Sequence, residues 1–154
     1  MPTATQYARN ALFSGLMPLE IQKRFPDKWI HDNEEEGKNM YEEDFMADQL
    51  KRLGLGDMKF SYNKITNHNA GKKLVDNLSN VLGNQFNVVV YNFVDMLSHA
   101  KTDMKVIKEL ADNDKAYRSL THSWFQNSPL LEMIKILKEK GIKLMITTDH
   151  GTIN

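Results

Sequence analysis

The sequence predicts an α/β fold, and three observations carry that prediction. Asn87 to Val94 is a short run of β-branched and aromatic residues, apolar on both faces, as in a buried parallel strand. Ile142 to Thr148 repeats that character directly after a well-punctuated helix. Between the two runs lie stretches of helical period, so the order strand, helices, strand reads as a βαβ crossover, right-handed by the usual rule. A chain of 154 residues that is 41% hydrophobic holds apolar material for one compact core and too little for two domains of usual size.

Taken in chain order, Gln6 to Phe13 reads as a helix, and so does Asn39 to Leu53. Pro18 to Gly37 is long for a connection inside a compact domain and contains Pro26, Trp29 and the acidic run Glu34-Glu35-Glu36. A cap or insertion over one end of the sheet, around residues 19–57, is expected there, with a solvated loop as the competing reading of the acidic run. Met58 to Tyr62 alternates like an edge strand, and Ala70 to Leu82 reads as a helix burying Leu74, Leu78, Val81 and Leu82. Lys101 to Ala111 and Tyr117 to Phe125 are the two helical stretches of the crossover. The last helix is the best marked: Ser128 caps it, Pro129 suits its first turn, Lys138 and Lys140 sit near its negative end, and Gly141 supplies the left-handed stop.

Composition removes several classes of function. With no Cys, disulfide frameworks, thiol nucleophiles and thiolate zinc sites are absent, leaving His, Asp, Glu and hydroxyls for chemistry. Lys plus Arg (20) cancels Asp plus Glu (20), so no long-range field favours nucleic acid or an anionic membrane. The pair Lys72-Lys73 is too small for a nucleic-acid footprint and reads as a solvated helix face. No apolar run approaches the roughly 18 to 20 residues that span a bilayer, and Met1 to Thr5 lacks the order of a secretion signal. A soluble, unexported protein with no membrane partner is expected, and the Cys count fits a reducing compartment such as the cytoplasm without demanding one.

In an open α/β sheet ligands gather outside the carboxyl ends of the strands, and two such ends are chemically loaded. After the first predicted strand comes Asp95, with His99 one helical turn later; after the second comes Asp149-His150-Gly151. Both pairs are oxygen and nitrogen donors that suit zinc or manganese. Each also has a structural reading: Asp95 as a helix cap, His99 as an ordinary helix residue, Asp-His-Gly as a turn. At the other end of the chain, Thr3 and Thr5 stand where a helix begins. A hydroxyl there meets unpaired N–H groups and the positive end of the dipole, which favour a bound phosphate, although an N-cap needs the same residue.

These residues resemble the alkaline phosphatase superfamily, within it the PglZ-domain branch, and most closely the form found in PorX-type response regulators. The Asp95-x-x-x-His99 spacing and the string Thr148-Asp149-His150-Gly151 look like metal motifs of that superfamily. The segment Pro2 to Pro18, in which a Thr opens a helix ending in Ser14-Gly15-Leu16-Met17-Pro18, is similar to the nucleophile segment of nucleotide pyrophosphatase/phosphodiesterase relatives. The resemblance implies Thr5 as nucleophile and metal ligand, serving one cation with Asp149 and His150, while Asp95 and His99 serve a second. It further implies two divalent cations, zinc by analogy, a phosphoester substrate of which a nucleotide is one candidate, and an in-line displacement through a phospho-threonine. Arg9 and Asn10, about one turn after Thr5, are candidates to meet a phosphate oxygen, and Asn92 to orient neighbouring ligands.

The superfamily also takes an Asp from a strand before the nucleophile helix and a His well after the Asp-His-Gly turn, and neither position exists in these 154 residues. The expectation is therefore a central fragment of a larger catalytic domain, its sheet truncated on both sides, inactive as it stands and with weak or absent metal binding. Cut strand edges would favour a homo-oligomer or a domain swap. The resemblance also implies a receiver domain in the full-length chain and a role in bacterial two-component signalling. The alternative is a regulatory interaction module on the same fold, without catalysis. His31, His68 and His122 lack partners at ligand spacing and read as ordinary histidines, and Trp124 and Phe125 as core residues, with stacking on a base as their functional alternative.

Overall fold

A computed structural model describes residues 5–30, 37–92, 105, 109 and 112–149. The chain divides into two compact units, Met1–Met58 with Met145–Asn154, and Lys59–Leu144. Composition leads to one core, whereas the buried apolar residues are shared between two units.

The first unit is helical: α1 (Thr5–Ser14), α2 (Pro18–Arg24) and α3 (Glu42–Arg52). Pro18 opens α2 with the backbone angle a first turn needs, and the Glu20 carboxylate accepts the Met17 N–H at 2.8 Å, half of a capping box. Acidic Glu42, Glu43 and Asp44 begin α3 and basic Lys51 and Arg52 end it, matching the helix dipole at both ends. α1 packs on both α2 and α3. Ala8, Phe13, Ile21, Phe45 and Leu50 are buried, and the rings of Phe25 and Phe45 meet at 5.0 Å. Burying a side chain the size of Phe45 contributes about 1.5–3 kcal/mol, which makes it a principal anchor of α3. The residues read as a cap or insertion thus contain α2, the α2–α3 connection and α3.

The second unit holds two parallel strands, β1 (Phe60–Ile65) and β2 (Phe86–Tyr91), paired from Phe60 with Phe86 to Ile65 with Tyr91. Among the described residues four whole helices accompany them: α4 (His68–Asp76), α5 (Leu78–Val81), α6 (Asp114–Gln126) and α7 (Pro129–Glu139). Parallel strands need a crossover, and α4 with α5 supplies it between β1 and β2. Ile65, Leu74, Leu78, Val81, Met133 and Leu137 form the core, with α4 packed on both β1 and α7. α7 begins and ends where its residues predict. Ser128 Oγ accepts the Leu131 N–H at 3.3 Å, and Gly141 takes φ +66°, letting Gly141 N–H reach Lys138 O and Ile142 N–H reach Leu137 O.

Helix and parallel sheet together make this an α/β fold, consistent with a fragment of an alkaline-phosphatase-like sheet. The crossover, however, joins β1 to β2 rather than the Val-rich strand to the 142–148 run. Among the described residues Ile142 to Thr148 pairs with no strand, and Met145 and Ile146 are 90% and 77% exposed. β-branched residues supply a preference for extended backbone, but a strand exists only where a partner offers the ladder. The helix expected over 101–111 lies mostly outside the described residues; Lys105 and Glu109 are helical and exposed. Among the described residues no helix is long and apolar enough to cross a membrane.

Candidate functional site

The helix that carries the proposed nucleophile is held by its polar side. Thr5 is the first residue of α1, so the N–H groups that follow it are the unpaired donors of a helix start. Gln6, Asn10 and Ser14, spaced one turn apart, are buried. Gln6 Nε2 donates to Ile30 O at 2.6 Å. Asn10 Nδ2 donates to Lys38 O at 3.0 Å while its Oδ1 accepts from Asn39 Nδ2 at 3.1 Å. Ile30 and Lys38 are thus each held to α1 by a side chain, on successive turns of the helix.

Arg9 takes a part no local pattern announces. Its Nε and Nη2 each lie 2.7 Å from an oxygen of Glu42, whose side chain is wholly buried at the start of α3. A two-point Arg–carboxylate pair fixes orientation as well as distance, so it sets how α1 lies on α3. Arg9 and Asn10, expected near a phosphate, are thus both engaged in holding α1 to its neighbours. Glu42 and Gln6 are the residues that reading the sequence passed over. Glu42 is one of three acidic residues opening α3, and nothing local separates the buried one from its exposed companions.

On the other side of α1 lies a cleft of about 400 Å³ in the same unit. Ala8, Ala11 and Leu12 form its helical wall, and Thr148 and Asp149 line it as well. Asp149 is half-buried there. The structure therefore brings together two of the sequence segments proposed for the site, the helix that opens at Thr5 and the Thr148-Asp149 end of the metal motif. Asp95, His99 and His150 lie outside the described residues, as does the side chain of Thr5. Among the described residues no group of three potential ligands converges. Asn92, the proposed orienting residue, follows β2 and its N–H donates to Ile65 O at 3.1 Å.

The proposed donors are a hydroxyl, two carboxylates and two imidazoles, which match the oxygen and nitrogen preference of zinc or manganese. Asp149, the one donor whose side chain is described, lines the cleft with Ala8, Ala11, Leu12, Leu16 and Met17, and its carboxylate is the oxygen donor that such a cation would take at that end.

A parallel α/β core, together with a helix opening at a Thr beside an Asp-bearing segment, fits the class of alkaline phosphatase-like domains. Comparison with known families makes that specific: the chain belongs to the PglZ family, the model described as the BREX system PglZ alkaline phosphatase-like domain matching residues 1–154. A search of curated proteins finds no match.

Proposed function

We propose that this domain belongs to a metal-dependent phosphoester hydrolase in which Thr5 is the nucleophile. The observation that carries the reading is the placement of Asp149 alongside the helix that begins at Thr5, in a chain matched over its full length by an alkaline phosphatase-like family. Thr5, Asp149 and His150 would hold one divalent cation, and Asp95 and His99 a second, with zinc the best chemical match. When bound, such cations supply charge stabilisation for the attacking and leaving oxygens and lower the pKa of a hydroxyl ligand. The Thr5 hydroxyl attacks phosphorus as the alcohol leaves, and water then releases the phosphate from the threonine ester. The start of α1 favours the anion that Thr5 must carry during this attack. Arg9 and Asn10 contribute by keeping α1 in place, through Glu42 and Lys38.

The cytoplasmic location follows from the family resemblance, and the Cys-free composition fits it. The two-component context rests on the PorX-type resemblance alone, while the matching family is described by the BREX system. The domain, in the longest natural chain that carries it, should cleave bis-p-nitrophenyl phosphate in the presence of zinc or manganese. Thr5→Ala should lower kcat at least about a thousandfold while leaving the unfolding midpoint within its error. An active wild type whose rate survives Thr5→Ala would remove Thr5 from the chemistry. A metal-loaded but inactive wild type would favour the interaction module.

A further inference from the structure

A second cavity, of about 390 Å³, opens in the Lys59–Leu144 unit where the start of α4 meets the α6–α7 corner. His68, Lys72, Asn127, Glu132 and Lys135 line it, with Pro129 at its apolar side. Lys72 comes from α4 and Lys135 from α7, so ammonium groups approach from two helices, with the His68 imidazole one turn from Lys72. Among the described residues none of His68, Lys72 or Lys135 has an ion-pair partner, although Glu132 shares the lining. Lys72 and Lys135 outnumber Glu132 in the lining, so the cleft carries a net positive charge that attracts an anion, although all three side chains are exposed to water. The positive ends of α4 and α7 act in the same sense, since His68 opens one helix and Pro129 the other.

We infer that this cavity is a binding site for a small phosphate-bearing ligand, separate from the proposed hydrolytic centre and independent of that reading. Lys72 and Lys135 supply the charge and Asn127 an amide donor, while Glu132 opposes the anion by its own repulsion. Such a ligand is too small to need the extended basic face that Lys72-Lys73 fails to provide, which reconciles the neutral composition with a local anion site.

The test is an amide NMR titration of the chain with inorganic phosphate at constant ionic strength, with acetate as the parallel titrant. Saturable shifts should be confined to the neighbourhood of His68, Asn127 and Lys135. Lys72→Ala and Lys135→Ala should each weaken binding roughly tenfold, the worth of one charge-assisted hydrogen bond, and the double variant should abolish saturation. Glu132→Gln should tighten it, and Lys51→Ala, on an exposed position of the other unit, should leave it unchanged. Retained dispersion of the amide spectrum certifies that each variant is folded. Linear, unlocalised shifts, saturation that survives the double variant, or acetate binding as tight as phosphate would each overturn the assignment.

Discussion

Tyr91 closes β2 with its ring edge-on to Trp124, centroids 5.8 Å apart, and its phenol oxygen buried against α4. A Cβ placed on Gly71 would lie 2.6 Å from that oxygen and 3.1 Å from the Pro129 Cβ, so the missing side chain at Gly71 is what admits both neighbours. Among the described residues the phenol has no hydrogen-bond partner, and burial raises its pKa above the ordinary tyrosine value. An unmade buried hydrogen bond costs about 1–3 kcal/mol, so Tyr91→Phe should leave urea-unfolding stability unchanged or raise it by about 1 kcal/mol. Gly71→Ala should lower it by about 1–3 kcal/mol through overpacking. Combining them should recover part of the loss, because Tyr91→Phe removes the nearest atom; strictly additive effects would mean that Pro129 alone sets the cost. A Tyr91→Phe variant several kcal/mol less stable would show that the hydroxyl has a partner worth keeping.

Between elements, side-chain ion pairs fix what helix periodicity leaves open. Arg24 of α2 grips Asp48 of α3 at two points, 2.9 and 2.7 Å, and Arg52, one turn along α3, adds a third contact at 2.8 Å. The Arg24 hydrogen bond, followed by Arg52 and their charges, holds the Asp48 carboxyl below its ordinary value despite the opposing effect of burial. The unfolded chain then takes up a proton at higher pH than the folded one. The stabilisation is present above the ordinary carboxylate value of about 4 and is lost as pH falls through the lower folded value. Urea midpoints measured against pH should therefore fall more steeply below about pH 4 in wild type than in Asp48→Asn, and parallel curves would remove this pair from the acid response. The same distinction governs what could be read from residues alone. α7 was legible because Ser128, Pro129 and Gly141 act on their own backbone within a few positions. The Arg9–Glu42 pair was not, since its partners are 33 residues apart and only the folded chain selects Glu42 over Glu43. The nearness of Asp149 to Ala8, Ala11 and Leu12 of α1 likewise spans the whole sequence, and no local pattern of residues announces it.

At the scale of the molecule, local preference and structure conflict most, among the described residues, in the run after α7. Ile142, Leu144, Met145 and Ile146 are all exposed, in a stretch whose composition suits a strand, and β1 and β2 form a two-stranded sheet among the described residues. Water must hydrate the apolar side chains of such a run, and that cost falls when another chain covers them and supplies a ladder. A second copy offers an identical run, so like can pair with like, in keeping with the oligomer or domain swap expected from the sequence. We predict that sedimentation velocity will show association that increases with protein concentration. Ile146→Lys, which places charge on the 77% exposed position, should shift the equilibrium toward monomer without lowering the unfolding midpoint, because the side chain has little to lose in the folded monomer. A wild-type chain that stays monomeric at high concentration would show instead that the run is tolerated in water as it stands. Association untouched by Ile146→Lys would place the contact on another surface, with the outer edges of β1 and β2 the next to alter.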